Sequence, residues 1–216
     1  MASADIELIA HLMRRAGFGA TYEELEQFSA NGYDATVDEL LSPMEQPDLE
    51  MDLLERYFID WKEMNALEVN QAYLTYRMIN TKRPLQEKMT LFWHGIFCVG
   101  NSKCEHGAQI QTQLNMFREK GMGSFPELLL ALSVDPAMVF YLDNCMSHKD
   151  AINENFGREL LELFAMGVGM DGEANYSEED VKECARAFTG WTIANAIPRY
   201  PYGRFPSMFA FNAADH

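Results

Sequence analysis

The segment NENFGRELLELF, which begins at residue 153, carries the densest set of side chains that could do chemistry. If the segment is helical, Asn155, Glu159 and Glu162 fall in one stripe, and Arg158 lies one turn from an acid on either side. Two carboxylates, an amide and a guanidinium on one face could bind a divalent cation or hold a carboxylate for proton transfer. The alternative is an amphipathic helix with a solvated, salt-bridged face, which is the commoner origin of such a pattern.

A second candidate is His94, in the segment PLQEKMTLFWHGIF that begins at Pro84. The helical pattern places the apolar residues on one predicted core face: Leu85, Met89, Phe92, Trp93 and Ile96. Glu87, Thr90 and His94 line the opposite, polar face. Glu87 and His94 are two turns apart, about 10 Å, which is too far for them to share a metal ion easily. His94 is a candidate catalytic group or metal ligand, and the commoner alternative is a hydrogen-bonded interior histidine.

Cations cluster at the end of the first predicted helix, where His11, Arg14 and Arg15 stand close together. His11 and Arg15 are i,i+4 neighbours, and together with Arg14 they could clamp an anion in an otherwise acidic region. The alternative is that cations at this end of a helix only complement the helix dipole. The sequence leaves both explanations open, and the dipole explanation is the commoner one.

These side chains need helices to position them, and helical periodicity runs through most of the chain. Predicted caps mark three of the helix starts: Thr21 with Glu24, Ser124 with Glu127, and Ser177 with Asp180. Pro84 suits the first position of its helix. Residues 48–80 carry one bent or two shorter helices, and residues 153–166 carry another. The predicted fold class is all-α, a multi-helix orthogonal bundle.

The last part of the chain, residues 192–216, differs from the rest. It combines three prolines with five aromatic residues, which makes it too apolar for a disordered tail. The pattern of Met208–Phe211 suits a strand. We therefore expect an irregular, partly extended segment that packs back over the helices or on residues that this chain does not contain.

Glycine pairs of the form G-x-G begin at Gly17, Gly121 and Gly167. A dinucleotide-binding loop would follow a strand and open a helix. Each of these pairs follows a predicted helix instead. We therefore predict left-handed helix C-caps at all three pairs and no nucleotide site.

Acidic residues outnumber basic ones by 33 to 17 among the 216 residues, which gives a net charge of −16. Residues 1–60 hold 14 of the acids and 3 of the bases. This charge argues against a nucleic acid partner, and no apolar run is long enough to span a membrane. The absence of an export signal predicts a cytoplasmic protein with reduced cysteines. For an exported protein, a disulfide between Cys98 and Cys104 is the alternative.

Five segments, in this order, resemble the domain-of-unknown-function 1800 family of bacterial proteins: HLMRRAGFGAT (11–21), RPLQEKMTLFWHGIF (83–97), DPAMVFYLDN (135–144), NENFGRELLELFAMGVG (153–169) and YSEEDVKECARAFTGW (176–191). The resemblance covers nearly the whole chain, and the candidate residues named above match the family's pattern. It implies a predominantly helical protein, usually about twice as long, with no established activity. Many family members carry export signals, and their genes often neighbour those of sulfatase-like proteins.

The resemblance implies that residues 1–216 form a single helical domain, the amino-terminal half of a longer one, with the 192–216 tail packed on the missing half. The leading hypothesis is a polar pocket, a half-site for metal- or carboxylate-dependent hydrolysis. Its candidate residues are His94, Asn155, Arg158, Glu159 and Glu162. A divalent metal held by Glu159, Glu162 and His94 is the cofactor that this hypothesis allows. The rival hypothesis is a non-catalytic scaffold or partner for a sulfatase-like protein.

Overall fold

The computed structural model of the chain describes residues 2–50, 56–57, 66–194 and 207–216. In chain order the α-helices are α1 (Ala2–Ala16), α2 (Tyr22–Asn31), α3 (Tyr33–Leu41), α4 (Leu67–Asn80), α5 (Pro84–Ile96), α6 (Asn101–Cys104), α7 (Gly107–Lys120), α8 (Phe125–Ser133), α9 (Pro136–Tyr141), α10 (Asn155–Glu159) and α11 (Glu178–Ala187). Two strands follow, β1 (Trp191–Ala194) and β2 (Met208–Phe211). The fold is mainly α-helical with a partly extended C-terminal segment, which confirms the predicted fold class.

Side-chain caps account for two of the predicted helix starts. The Thr21 hydroxyl accepts the Glu24 N–H at 3.3 Å, and the Glu24 carboxylate accepts the Thr21 N–H at 2.9 Å, so a complete capping box starts α2. Ser177 and Asp180 form the same arrangement at α11. The box predicted at Ser124 is wrong, because that side chain makes no capping hydrogen bond. A proline in the first turn of α8 supplies the helical φ there instead.

The helix predicted over residues 153–166 consists of two different kinds of helix. Asn155–Glu159 is α-helical, and Leu160–Ala165 continues it as a π-helix. Hydrogen bonds in a π-helix run from i to i+5, so each turn holds more residues than an α turn. Glu162 lies in this wider segment and therefore leaves the stripe that regular α-helical spacing predicts for it.

Two groups of buried apolar side chains hold the described helices together. The larger group lies among α5, α7, α8, α9 and α10 and includes the fully buried Phe97 and Phe117. The smaller group packs Ile9 and Met13 of α1 against Leu40 of α3. Burial of these side chains is the main stabilising term for the helices, at about 25 cal/mol for each Å² of apolar surface removed from water.

The C-terminal segment folds back on the chain through a two-stranded sheet. β2 pairs antiparallel with β1, with Trp191 opposite Phe211 and Ala194 opposite Met208. The strand predicted at Met208–Phe211 is therefore confirmed, whereas its partner strand was not predicted. Trp191 also meets Phe209 edge to face, with ring centroids 5.1 Å apart. Packing of the tail on a further half of the protein stays a prediction.

Polar contacts fasten the end of the chain to two distant loops. His148 Nδ1 lies 3.3 Å from a carboxylate oxygen of Asp215. His216 Nδ1 lies 3.0 Å from the hydroxyl oxygen of Thr189. The sequence shows no partner beside His148, because Asp215 follows much later in the chain and only the fold brings the two together.

The glycine pairs serve two different purposes. Gly19, Gly167 and Gly169 have φ values of 99°, 72° and 95°, so the left-handed conformation predicted for them is confirmed. The prediction is wrong for the Gly121 and Gly123 pair, neither of which has a positive φ, and the φ of Gly121 is −68°. A Cβ there would lie 2.6 Å from Cδ1 of Trp93, so this glycine is needed for close packing instead.

Part of the sequence pattern lies outside the described residues. Of the helical pattern predicted over 48–80, Leu67–Asn80 forms α4, and residues 51–55 and 58–65 are outside the described ranges. Among the residues that the structure describes, no helix combines the length and the hydropathy needed to cross a membrane.

Candidate functional site

Helix α5 turns its polar side toward the interior and much of its apolar side outward. Glu87 and Thr90 are fully buried, whereas the Phe92 and Ile96 side chains are 52% and 40% exposed. The core face predicted for this helix from its apolar spacing is therefore wrong at its outer positions. The reason is a set of charged partners that other helices bring to Glu87.

Glu87 is the centre of a buried ion cluster. Its carboxylate accepts an N–H from Arg77 Nε at 2.7 Å, and two more from Arg118, from Nε at 2.8 Å and from Nη2 at 3.0 Å. Arg77 comes from α4 and Arg118 from α7, so the cluster joins three helices. A buried carboxylate is tolerated when cations and hydrogen bonds compensate for the water that it loses.

The two arginines donate to further partners as well. Arg77 donates to the Tyr73 hydroxyl at 3.0 Å and to the Asp48 carboxylate at 3.2 Å. Arg118 donates to Asn115 Oδ1 at 2.6 Å. Burial alone would lower the pKa of Arg77, but Tyr73 and the Glu87 carboxylate together raise the pKa above its ordinary value. Because the charges are matched within the cluster, its role is to hold α4, α5 and α7 together.

Asp135 is a second buried acid, and no cation pairs with it among the described residues. Its carboxylate caps α9 by accepting the Met138 N–H at 2.9 Å, and it accepts an N–H from the Gln113 amide at 2.9 Å. Burial raises the pKa of Asp135 to about 6, because these neutral donors only partly replace water. Asp135 and Glu87 differ in their partners, because two arginines contact the Glu87 carboxylate.

His94 lies half-buried near the end of α5. Its Nδ1 is buried and has no hydrogen-bond partner in the described part of the chain. Burial lowers the pKa of His94, which favours the neutral ring. Within the described ranges, no three His, Cys, Asp or Glu side chains come together as a group that could hold a metal ion. His94 therefore does not join Glu159 and Glu162 in such a group. The role of Glu159 and Glu162 as metal ligands stays a prediction.

Asn155 and Arg158 contact neighbouring segments rather than a cavity. The Asn155 amide donates to the Leu142 carbonyl at 3.1 Å. Arg158 donates to both carboxylate oxygens of Glu178 on α11, at 2.9 and 2.8 Å, and to Glu154 at 3.2 Å. The hydrogen bond and charge of Glu178 raise the pKa of Arg158. These contacts orient α10 relative to α11, which is a structural use of two candidate site residues.

The acids at the end of the same segment have other surroundings. The predicted pair between Arg158 and the acid one turn before it, Glu154, is confirmed. The pair predicted with Glu162 is absent from the described contacts, in which Arg158 pairs with Glu154 and Glu178. Glu162 accepts a long hydrogen bond, 3.4 Å, from the Tyr176 hydroxyl instead. The role of Asn155, Glu159 and Glu162 as one site stays a prediction.

A shallow groove of about 500 Å³ separates the end of α1 from α5. Cations lie on its edges and apolar side chains form the rest of its surface: Arg14, Arg15, Lys88, Leu85, Met89, Leu91 and Phe92. No acidic residue lines the groove within the described part of the chain. The structure thus adds Lys88 to two of the three cations that the sequence suggested. His11 is exposed and lies outside this lining.

Gly17 is the residue that lets the two helices meet at the groove. It is buried, and a Cβ at this position would lie 2.9 Å from Cβ of Pro84. Only glycine therefore allows the end of α1 to approach the start of α5 this closely. Arg15 precedes this contact and Lys88 follows it within about one turn, so the contact sets both cations beside the same groove.

The cations of the groove are free of carboxylate partners among the described residues. Arg14 and Arg15 are exposed and make no ion pair there. The Lys88 ammonium lies over the ring of Phe18, 5.0 Å from its centroid. The Lys88 side chain is partly exposed, so this contact does not enclose it. Sequence reasoning missed Lys88 because it placed this part of α5 against the core.

The family model described as "Protein of unknown function (DUF1800)" matches residues 11–216. This chain belongs to the DUF1800 family. The match includes the groove, the Glu87 cluster and the C-terminal sheet, and it confirms the resemblance seen in the sequence motifs. Searches of curated proteins and of solved structures find no match to the chain. The description of the family assigns no activity, so the function of this DUF1800 protein has to be argued from its geometry.

Proposed function

We propose that this DUF1800 protein is a non-catalytic binding module that docks an anionic partner in the groove between α1 and α5. The observation that carries the proposal is the group of three accessible cations, Arg14, Arg15 and Lys88, without a paired carboxylate in the described part of the chain. Each cation can meet an anion in the groove at distances shorter than the Debye length of about 8 Å, where salt screens little.

The chemistry of the three side chains is complementary. The planar guanidinium groups of Arg14 and Arg15 can each hold a carboxylate or phosphate through two parallel N–H bonds. Lys88 adds a compact charge on the opposite helix. Because the chain as a whole is strongly acidic, with a net charge of −16, anions are attracted to this groove and repelled from most of the remaining surface.

The experiment measures binding of a fluorescein-labelled polyglutamate to the chain by anisotropy. We expect the triple substitution Arg14→Gln, Arg15→Gln and Lys88→Gln to weaken binding about tenfold or more. The matched control replaces three exposed lysines outside the groove by glutamine and changes the net charge equally: Lys120, Lys149 and Lys182. Equal weakening in the two triple variants would reject the groove as the docking site.

The hydrolase hypothesis keeps its own prediction and test. A divalent metal bound by Glu159 and Glu162 would appear as about one metal per chain in elemental analysis after equilibration and removal of free metal. The double variant Glu159→Gln, Glu162→Gln would then lose it. Sub-stoichiometric metal in the wild-type chain, or metal content that the variant leaves unchanged, would reject the metal version.

A sulfatase-like protein, which the family resemblance suggests as a partner, is one protein that such a module could dock. This partnership stays a prediction. If the partnership exists, the sulfatase-like protein binds the wild-type chain and the matched control with similar affinity. It binds the groove variant, Arg14→Gln, Arg15→Gln and Lys88→Gln, more weakly.

A further inference from the structure

Helix α5 carries a regular apolar pattern on its outer side. Leu85, Met89, Phe92 and Ile96 are spaced by four, three and four residues. This is the a/d spacing by which one helix packs along another. In most surface helices such a stripe faces the protein's own core. Here Phe92 and Ile96 remain 52% and 40% exposed, because the Glu87 side of the helix occupies the interior, so the described part of the chain leaves the outer half of the stripe uncovered.

The groove cations flank this stripe. Lys88 lies one turn after Leu85 and one turn before Phe92, on the edge of the stripe, while Arg14 and Arg15 come from α1 on the other wall of the groove. In paired helices, charged residues beside the apolar seam select partners that carry the opposite charge. The groove therefore offers apolar and cationic side chains to the same ligand.

We infer that the groove binds an amphipathic helix of another protein, with apolar residues at heptad spacing and acidic residues beside them. This inference rests on the proposed function and adds the class of partner to it. The stripe from Leu85 to Ile96 runs about 16 Å along the helix axis, enough for three turns of a partner. An amphipathic helix laid in a groove covers the apolar side chains and places its acids against Arg14, Arg15 and Lys88.

Other anionic ligands match the groove less well. A nucleic acid would leave Phe92 and Ile96 uncovered, and its phosphates would be repelled by the remaining charge of the chain. A second copy of the chain brings the same net charge of −16, so long-range repulsion opposes its approach. The charge and the apolar stripe together thus favour an acidic helix over either alternative.

The test uses a labelled synthetic peptide of about three heptads, with leucine at the a and d positions and glutamate beside them. Two control peptides have the same leucines with lysine in place of glutamate, and the same composition with the heptad spacing scrambled. We expect the acidic amphipathic peptide to bind the wild-type chain at least about tenfold more tightly than either control and than polyglutamate. Circular dichroism should show that the bound peptide gains helix.

The protein variants separate the two parts of the site. Ile96→Gln, which lies outside the groove lining, should weaken binding of the acidic amphipathic peptide and leave polyglutamate binding unchanged. Phe92→Gln, within the lining, should weaken binding of the amphipathic peptide more than binding of polyglutamate. The triple variant Arg14→Gln, Arg15→Gln, Lys88→Gln should weaken binding of both ligands. Thermal unfolding of each variant verifies that the fold persists, which we expect because the replaced side chains are at least partly exposed.

Three outcomes would overturn the inference. If polyglutamate and the scrambled peptide bind as tightly as the amphipathic peptide while the triple variant weakens all of them, the groove binds anions without selecting a helix, and the proposed function survives alone. If the triple variant weakens none of them, the proposed function and the inference both fall. If sedimentation shows that the wild-type chain dimerises and that Phe92→Gln abolishes the dimer, the stripe belongs to a second copy.

Discussion

The two sides of helix α5 use the same types of residue for opposite purposes. On the inner side, Glu87 is fully buried and holds Arg77 and Arg118 in a closed set of hydrogen bonds. On the outer side, Lys88 borders a groove in which the cations have no carboxylate partner among the described residues. Adjacent positions in the sequence therefore serve stability in one case and remain available to a partner in the other.

This difference shows that the role of a charged side chain depends on the partners that it contacts. Asp135 makes the same point within the interior, because it is buried and yet no cation pairs with it among the described residues. Its pKa is raised to about 6 by burial. A buried charge cluster with matched partners stabilises the fold, and a buried acid without a cation makes stability depend on pH. Surface cations without acidic partners are available to bind an anion.

The largest expected effect is at the inner side of α5. Glu87→Gln removes the buried carboxylate that both guanidinium groups share and leaves Arg77 with only the exposed Asp48, so we expect it to lower the free energy of unfolding by about 3–5 kcal/mol. Urea denaturation followed by circular dichroism measures this. Glu68→Gln, an exposed position on α4, is the control and should stay within about 0.5 kcal/mol of wild type. A loss below about 1 kcal/mol for Glu87→Gln would contradict the structural role of the cluster.

The contact between the two helices of the groove gives the next effect. Gly17→Ala puts a Cβ 2.9 Å from the Pro84 side chain and 3.2 Å from the Met13 carbonyl oxygen, so we expect a loss of about 1–3 kcal/mol in the free energy of unfolding. Gly95→Ala is the matched control, since a Cβ on this α5 residue meets no atom within 4 Å. It should be neutral or slightly stabilising, because alanine favours helix more than glycine. Equal stability of the two variants would show that α1 and α5 are not closely packed.

Asp135 is expected to give a smaller effect that depends on pH. Its pKa in the folded chain, about 6, lies above the ordinary value of 3.8, so the folded state binds the proton more tightly. The resulting stabilisation is fully present below about pH 4 and is lost as the pH rises through about 6. Between about pH 5 and pH 8 the loss amounts to about 1 kcal/mol.

Asp135→Asn isolates this contribution. The amide oxygen can still accept the Met138 N–H, but the side chain no longer titrates. We expect urea denaturation at the two pH values to give a difference smaller by about 1 kcal/mol in the variant than in wild type. An unchanged pH dependence would mean that Asp135 is not the titrating group.

The smallest effect on stability is expected at the outer side of α5. Arg14→Gln, Arg15→Gln and Lys88→Gln together should change the free energy of unfolding by less than about 0.5 kcal/mol, because the side chains are at least partly exposed and unpaired with acids in the described residues. Binding of polyglutamate should nevertheless fall. Denaturation and anisotropy measured on the same preparations test whether binding falls while stability is kept. A large loss of stability would show that these residues stabilise the fold, as Glu87 does.

Local features of the sequence determined the helices and their ends. The capping boxes at Thr21 and Ser177, the helix-opening Pro84 and the strand Met208–Phe211 depend on residues within a few positions of one another, so their chemistry can be read from the chain. The pair between Arg158 and Glu154 is local in the same way. The sequence alone likewise revealed the acidic composition, the family motifs and two of the three groove cations.

The tertiary structure alone decided which side of α5 is buried. Helical periodicity reveals one apolar side and one polar side, and by itself it favours burial of the apolar side. Arg77 and Arg118, from two other helices, bury the polar side at Glu87 by matching its charge. On the apolar side, Leu85 and Trp93 still pack against the buried clusters, whereas Phe92 and Ile96 stay exposed. The same long-range packing brings Arg15 beside Lys88 through the contact at Gly17. Helical periodicity depends only on the residues of one helix, whereas burial also depends on the side chains that other helices place against it.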